Sequence, residues 1–280
     1  MRIQNQNSGQ LTSANYRWRP APIIYISLFV HVAVIILLFT PLLTWRWAIA
    51  IIVANHLILC FAVLFPKSKL LGPNDTSLPD HAKRRNEIAI TFDDGPDPEI
   101  TPQVLDILDR YNAKASFFCI GKKVVEFPEI AKEIIKRGHC IENHSYHHPL
   151  GFSFYGMSGL HKEVQTAQQE ITRVTGYTPQ YFRAPAGFRS PMLDPIMAKN
   201  QLRYVSWTRR ALDGVKANIE GARARLLRNF SAGDILLLHD GTKARTSYGE
   251  SVVLTVLPTI LEAAAAKNLK VVSLTKAFKE

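Results

Sequence analysis

Ile88-Ala89-Ile90-Thr91-Phe92-Asp93-Asp94-Gly95-Pro96-Asp97 sets an apolar run of strand length against two adjacent carboxylates and a Gly-Pro pair. A short apolar run closed by turn residues reads as a buried strand, here Ile88–Phe92. Adjacent carboxylates at the end of such a strand repel each other, and burial sharpens the repulsion unless a cation is bound. Asp, Gly and Pro also favour turns, so this stretch alone is equally an ordinary turn.

Downstream, the same alternation continues. Strands are predicted at 115–120, 140–142, 181–183, 204–207, 234–239 and 270–273, with helices near 101–111, 128–137, 159–175, 192–199, 217–228 and 249–267. Short apolar strands alternating with amphipathic helices predict an α/β domain with a parallel sheet. From Glu87 to the end there are roughly 195 residues, small for eight βα units, so a shortened or irregular barrel is expected. Chemistry should then sit where strands end and loops begin.

Upstream the pattern changes. No Lys, Arg, Asp or Glu lies between Arg19 and Arg46, or between Arg46 and Lys67. Runs of this length predict a transmembrane hairpin with spans at about 21–40 and 47–65. The chain then divides into a membrane anchor (1–66), a linker rich in Pro, Gly and basic residues (67–86) and a catalytic domain (87–280). Residues 1–85 carry nine Lys/Arg against two Asp/Glu, so most of the net charge of +11 belongs to the N-terminal part. Arg2, Arg17 and Arg19 before the hairpin and Lys67, Lys69, Lys83, Arg84 and Arg85 after it predict a multi-pass protein of the bacterial inner membrane. Its catalytic domain faces the cytoplasm. Cys60, Cys119 and Cys140 lack metal-site spacing and read as free thiols. No Lys/Arg stripe with interleaved aromatics is present, which excludes a nucleic-acid partner and leaves the lipid bilayer.

Four more polar clusters close predicted strands. His144-Ser145-Tyr146-His147-His148 places His144 and His148 on one face if it forms a helical turn, able to share a metal with Asp94, while His147 points elsewhere. One oxygen and two nitrogen ligands suit Zn²⁺, and Mn²⁺, Co²⁺ or Ni²⁺ fit the same set. Asp93 is then free to take a proton from water. In Phe182-Arg183-Ala184-Pro185-Ala186-Gly187, the Pro and Gly fix a tight path that can present an N–H to an oxyanion. Trp207-Thr208-Arg209-Arg210-Ala211-Leu212-Asp213-Gly214 and Leu236-Leu237-Leu238-His239-Asp240-Gly241 complete the set. His239 can protonate a leaving amine, with Asp213 holding its far nitrogen.

The ordered motifs Thr-Phe-Asp-Asp-Gly-Pro, His-Ser-x-x-His, Arg-x-Pro-x-Gly, Trp…Asp and Leu-x-His resemble the polysaccharide deacetylase family (NodB-homology domain, carbohydrate esterase family 4) over about residues 85–280. The resemblance implies a distorted (β/α)7 barrel that hydrolyses N-acyl groups on amino sugars. It puts Asp93 on the general base and Asp94, His144 and His148 on the metal triad. His239 falls on the general acid, Asp213 on the carboxylate orienting it, and Arg183 on the groove wall. Three positions depart from the family pattern. Ala186 stands where many members carry Tyr or Trp, Arg210 where many carry Asp, and Gly214 where they carry Trp. The site should be more open and more basic. With the apolar hairpin, this predicts a membrane-held or lipid-linked N-acylated amino sugar as substrate. The alternatives are an outward-facing deacetylase of peptidoglycan or exported polysaccharide, and a non-catalytic carbohydrate-binding membrane protein.

Overall fold

The computed structural model describes residues 20–214, 218–241, 249 and 251–280; Arg2, Arg17 and Arg19 lie outside these. Two apolar helices, α1 (Pro22–Leu38) and α2 (Trp45–Leu64), and the short α3 (Asp80–Arg84) precede β1 (Glu87–Asp93). Then follow α4 (Ile100–Arg110), β2 (Ser116–Cys119), α5 (Gly121–Glu126), α6 (Pro128–Lys136), β3 (Cys140–Asn143) and α7 (Met157–Thr175). Next come β4 (Tyr181–Phe182), α8 (Asp194–Lys199), β5 (Arg203–Tyr204), β6 (Arg209–Arg210) and α9 (Ile219–Leu227). The C-terminal elements are β7 (Ile235–His239), α10 (Val252–Ala266), β8 (Lys270–Val271) and α11 (Leu274–Ala277).

Strand alternation sorts the side chains of β1. Ile88, Ile90 and Phe92 join the outer core with Val104 and Leu108 of α4 and Val256 and Ile260 of α10. Ala89 faces the inner cluster of Phe118, Trp207 and Leu237, and Asp93 follows it two pleats further along. The strands are ordered β5-β4-β3-β2-β1-β7-β6, with β8 also on β1, and the pairings are parallel. All C-terminal ends therefore open on one rim.

The ladder does not close between β5 and β6. The predicted seven-unit barrel is corrected to an open, distorted half-barrel. β4, β5 and β6 have two residues each and offer few ladder bonds. The stretch 67–86, expected to be a linker, lies against that edge instead. Asp75 N donates to Tyr204 O, Ser206 N to Asp75 O, and Thr208 Oγ1 to Thr76 O. Leu71, Leu78 and Ala82 are buried in the same stretch.

The two-span hairpin is also corrected. α1 has 17 residues, bounded by Pro22 at its first turn and a cap at Phe39 ahead of Pro41. At 1.5 Å per residue it reaches about 26 Å, short of a hydrocarbon core of about 30 Å. Among the described residues only α2 is long and apolar enough to cross a membrane. The multi-pass inner-membrane placement with a cytoplasmic catalytic domain falls with the first of the two predicted spans, and most of the chain forms the half-barrel. α1 and α2 pack on each other through Asn55, which donates to Ser27 Oγ at 2.9 Å.

His139, beneath β3, gives the fold a pH dependence. Its Nδ1 accepts the Ala115 N–H at 3.1 Å, and burial pushes its pKa down to about 4. The unfolded chain binds this proton first, near the ordinary value of about 6.5. Stability from a neutral His139 is thus complete above about pH 6.5 and is lost as pH falls towards 4, by about 3 kcal/mol. Urea unfolding at pH 7 and pH 5 should show this loss, and His139→Gln should reduce the difference.

Candidate active site

The rim gathers the polar clusters. Asp93 ends β1 with its backbone still extended, so its side chain keeps the inward direction of Ala89 and Thr91. Asp94 has φ of +73°, a left-handed turn that sends the next carboxylate sideways towards the β3 loop. One backbone reversal thus sends two adjacent carboxylates in different directions.

Asp93 Oδ1 accepts from Arg183 Nη1 at 2.6 Å. Arg183 is fully buried, donates also to Thr91 Oγ1 and the carbonyls of Val205 and Ser206, and lies 4.0 Å over the Phe118 ring. Its planar fork is satisfied on every side, which fixes the Asp93 carboxylate. Asp93 Oδ2 stays 3.7 Å from His144 Nε2.

His144 and His148 meet without a helical turn. Ser145 and His148 have φ of 64° and 55°, so the loop coils through left-handed residues. Asn143 Oδ1 accepts the Ser145 N–H, and Ser145 Oγ accepts the His148 N–H. Glu163 of α7 accepts the N–H groups of Tyr146 and His147 and pairs with His147 Nδ1 at 2.8 Å, turning His147 away from the site. His144 Nδ1 lies 2.8 Å from the Arg183 carbonyl, which assigns the proton to Nδ1 and leaves the Nε2 lone pair facing Asp94.

Asp94 Oδ1 is 3.4 Å from His144 Nε2 and 3.2 Å from His148 Nε2. It is a buried acceptor with no hydrogen-bond partner. Burial works to raise the Asp94 carboxyl, but the positive charge that His144, His239 and His148 carry when protonated outweighs it and holds the group well below the usual carboxylate range. Ligand atoms of Asp94, His144 and His148 all lie within 4.8 Å of one another. An orphaned anionic oxygen beside two imidazole nitrogens fits a divalent cation.

His239 ends β7, in register with Asp93. Asp213 is fully buried and grips it twice, at Nδ1 (2.7 Å) and at the backbone N–H (2.9 Å). Burial disfavours the imidazolium, but Asp213, with Asp93 and Asp94, raises the pKa to about 9. Ala186 is exposed on the same rim with φ of 55°. Gly187 follows at φ of 77°, where a Cβ would come within 2.5 Å of the Trp207 ring.

Three supporting residues lie outside the set of site residues predicted from the sequence. Lys123 Nζ donates to the Asp94 carbonyl at 2.7 Å and to Gly241 O at 3.3 Å. Asp240 accepts from Thr101 Oγ1 at 2.6 Å, lies where a Gly95 side chain would be, and is pushed up to about 7 by burial. Glu163 is the third. Lys123 and Glu163 act on backbone atoms, which residue spacing does not reveal.

The polysaccharide deacetylase family model matches residues 80–205. The chain is 37% identical over 162 residues to a chitooligosaccharide deacetylase of Azorhizobium caulinodans, covering 57% of this chain and 76% of that one. It is 32% identical over 161 residues to a peptidoglycan-N-acetylglucosamine deacetylase of Bacillus cereus, spanning 55% of each. A solved peptidoglycan N-acetylglucosamine deacetylase superposes with a TM-score of 0.67 at 27% identity, over 73% of this chain and 92% of that one. A pseudoenzyme of carbohydrate esterase family 4 from Bacillus anthracis, 23% identical with a TM-score of 0.66 over 74% of this chain and 69% of that one, shares the fold. With a 37% identical relative matched over three quarters of its length, the chain belongs to the polysaccharide deacetylase family.

Proposed function

We propose that the chain is a divalent-metal-dependent hydrolase that removes N-acetyl groups from a glycan containing N-acetylglucosamine, with residues 87–280 as its catalytic unit. The observation that carries the reading is the Asp94–His144–His148 triad, set between a carboxylate held by Arg183 and an imidazole held by Asp213. The donor set suits Zn²⁺ best. A cation held there supplies Lewis acidity at the amide carbonyl and lowers the pKa of a water.

The chain's own residues do the rest. Asp93 takes the proton of the attacking water through Oδ2, since Arg183 occupies Oδ1. The Ala186 N–H receives the developing oxyanion, at an exposed left-handed residue beside the groove. His239, charged at neutral pH, gives its Nε2 proton to the sugar nitrogen as the C–N bond breaks. The products are acetate and the free amino sugar. Gly214 lies against the His239 ring, a Cβ there coming within 3.3 Å, so the absence of an aromatic widens access to that proton.

A lipid-linked amino sugar is the second reading, favoured by one contact. Pro66, just beyond α2, is the neighbour a Gly187 side chain would meet at 3.0 Å, so the exposed apolar surface of α2 begins beside the groove wall. Mass spectrometry of N-acetylglucosamine oligomers, peptidoglycan and a polyprenyl-phosphate-linked N-acetylglucosamine after incubation separates the two. Loss of acetyl groups from the polymers is expected; loss only from the lipid-linked sugar supports the second reading, and loss from none refutes both.

A further inference from the structure

β6 carries a charge that the proposed chemistry does not use. Arg210 pairs in register with Leu237 of β7, which pairs with Thr91 of β1. Residues in register on parallel strands point to the same side. Leu237 belongs to the inner cluster with Trp207 and Phe118, so Arg210 stands on the inner wall that also carries Thr91, Asp93 and His239. Arg209, one residue earlier, takes the other side and pairs with Asp234.

Two guanidinium groups gather at one indole. Arg210 lies 5.3 Å and Arg183 5.8 Å from the centre of the Trp207 ring. The Arg183 charge is met by Asp93 at 2.6 Å. Among the described residues Arg210 makes no ion pair, and its Nε is buried without a hydrogen-bond partner. A buried donor left unmade is costly, and a second positive charge beside Arg183 adds repulsion. Arg210 is partly exposed, so solvent and solutes reach it.

We propose that Arg210 is a specificity-determining residue that receives an anionic substituent, a carboxylate or a phosphate, carried by the amino sugar. A planar guanidinium with free donors pairs with either group through two parallel hydrogen bonds. The identity of the sugar rests on the N-deacetylase reading; the anion preference does not.

The test uses the purified full chain loaded with metal and three soluble probes. These are N-acetylglucosamine, N-acetylmuramic acid and N-acetylglucosamine 1-phosphate, with affinities read by calorimetry or saturation-transfer NMR at low salt. The wild type should bind at least one anionic probe about ten-fold more tightly than the neutral one. Whichever anion gains more identifies the source of the charge. The ratio should fall to about one in Arg210→Gln and remain mostly intact in Arg210→Lys. A wild-type ratio near one overturns the proposal. So does a preference that survives in Arg210→Gln, because the anion would then be ligating the metal. An Arg210-dependent preference without hydrolysis of any N-acetyl sugar leaves this proposal standing and removes the functional reading; hydrolysis without the preference does the reverse.

Discussion

Asp93→Asn is expected to lower turnover by about 10³-fold while leaving the metal in place, a loss of the size general bases contribute. The amide keeps the shape of the carboxylate and can still accept from Arg183 Nη1, now 2.6 Å from Oδ1. It cannot take a proton from water. The same change leaves the Arg183 charge, fully buried, without its counter-ion. Breaking such a buried pair costs about 3–5 kcal/mol, somewhat less where a neutral acceptor remains. Turnover, metal content per chain and a urea midpoint measured together check this. A rate within ten-fold of wild type would remove Asp93 from the role of base. Loss of the metal would instead make it a ligand.

The second large effect concerns the acid. His239→Gln should cost about 10²–10⁴ in rate, and Asp213→Asn should move a pH profile. Asp213 is the chief partner that raises His239 to about 9, against burial. With the imidazolium as the proposed proton donor, activity should hold at lower pH and fall as pH rises through the His239 pKa. A bound dication repels the imidazolium, which sets the alkaline limb of the loaded enzyme at or below 9. Removing the Asp213 charge should shift that limb down by about one unit or more, with metal retained. The metal-free protein offers a second readout. The folded pKa lies above the unfolded value of about 6.5, so the contribution to stability is complete below about pH 6.5. It is lost as pH rises through 9, and amounts to about 3 kcal/mol for this almost fully buried group. Asp213→Asn should remove most of that slope. Identical limbs and slopes in the two proteins would contradict the assignment.

The parts of the fold legible in the sequence are those in which a local pattern and the tertiary contacts agree. β1, β2, β3 and β7 are apolar runs closed by polar residues, and each lies within a residue or two of its predicted bounds. Asp93, His144, Arg183 and His239 each sit at or just beyond a strand end, so the candidate site is legible from the polar residues that close the apolar runs. β4, β5 and β8 are predicted although each has only two residues, whereas β6, with two residues, has no period to detect and α5 has only 6 residues. The helical turn expected for His144 and His148 fails because spacing alone does not register Ser145 and His148 in left-handed conformations. The seam of the half-barrel is hidden for another reason. Asn74, Asp75 and Thr76 fill it through hydrogen bonds to residues 204–208, more than a hundred positions away. The first apolar run looks longer in the sequence than the helix it forms because hydropathy registers composition, whereas Pro22 and Pro41 limit the length of helix that the composition can form.

Metal dependence of acetate release tests the central claim most directly. The purified chain is stripped with a chelator, dialysed, and returned to Zn²⁺ in measured steps while acetate released from an N-acetylglucosamine oligomer is followed. Release should be absent from the stripped protein and should rise with added metal until one ion is bound per chain. Asp94→Ala, which removes one of the three ligands, should fail to recover at the same metal concentration. Equal acetate release before and after stripping, or full recovery in Asp94→Ala, would contradict the account.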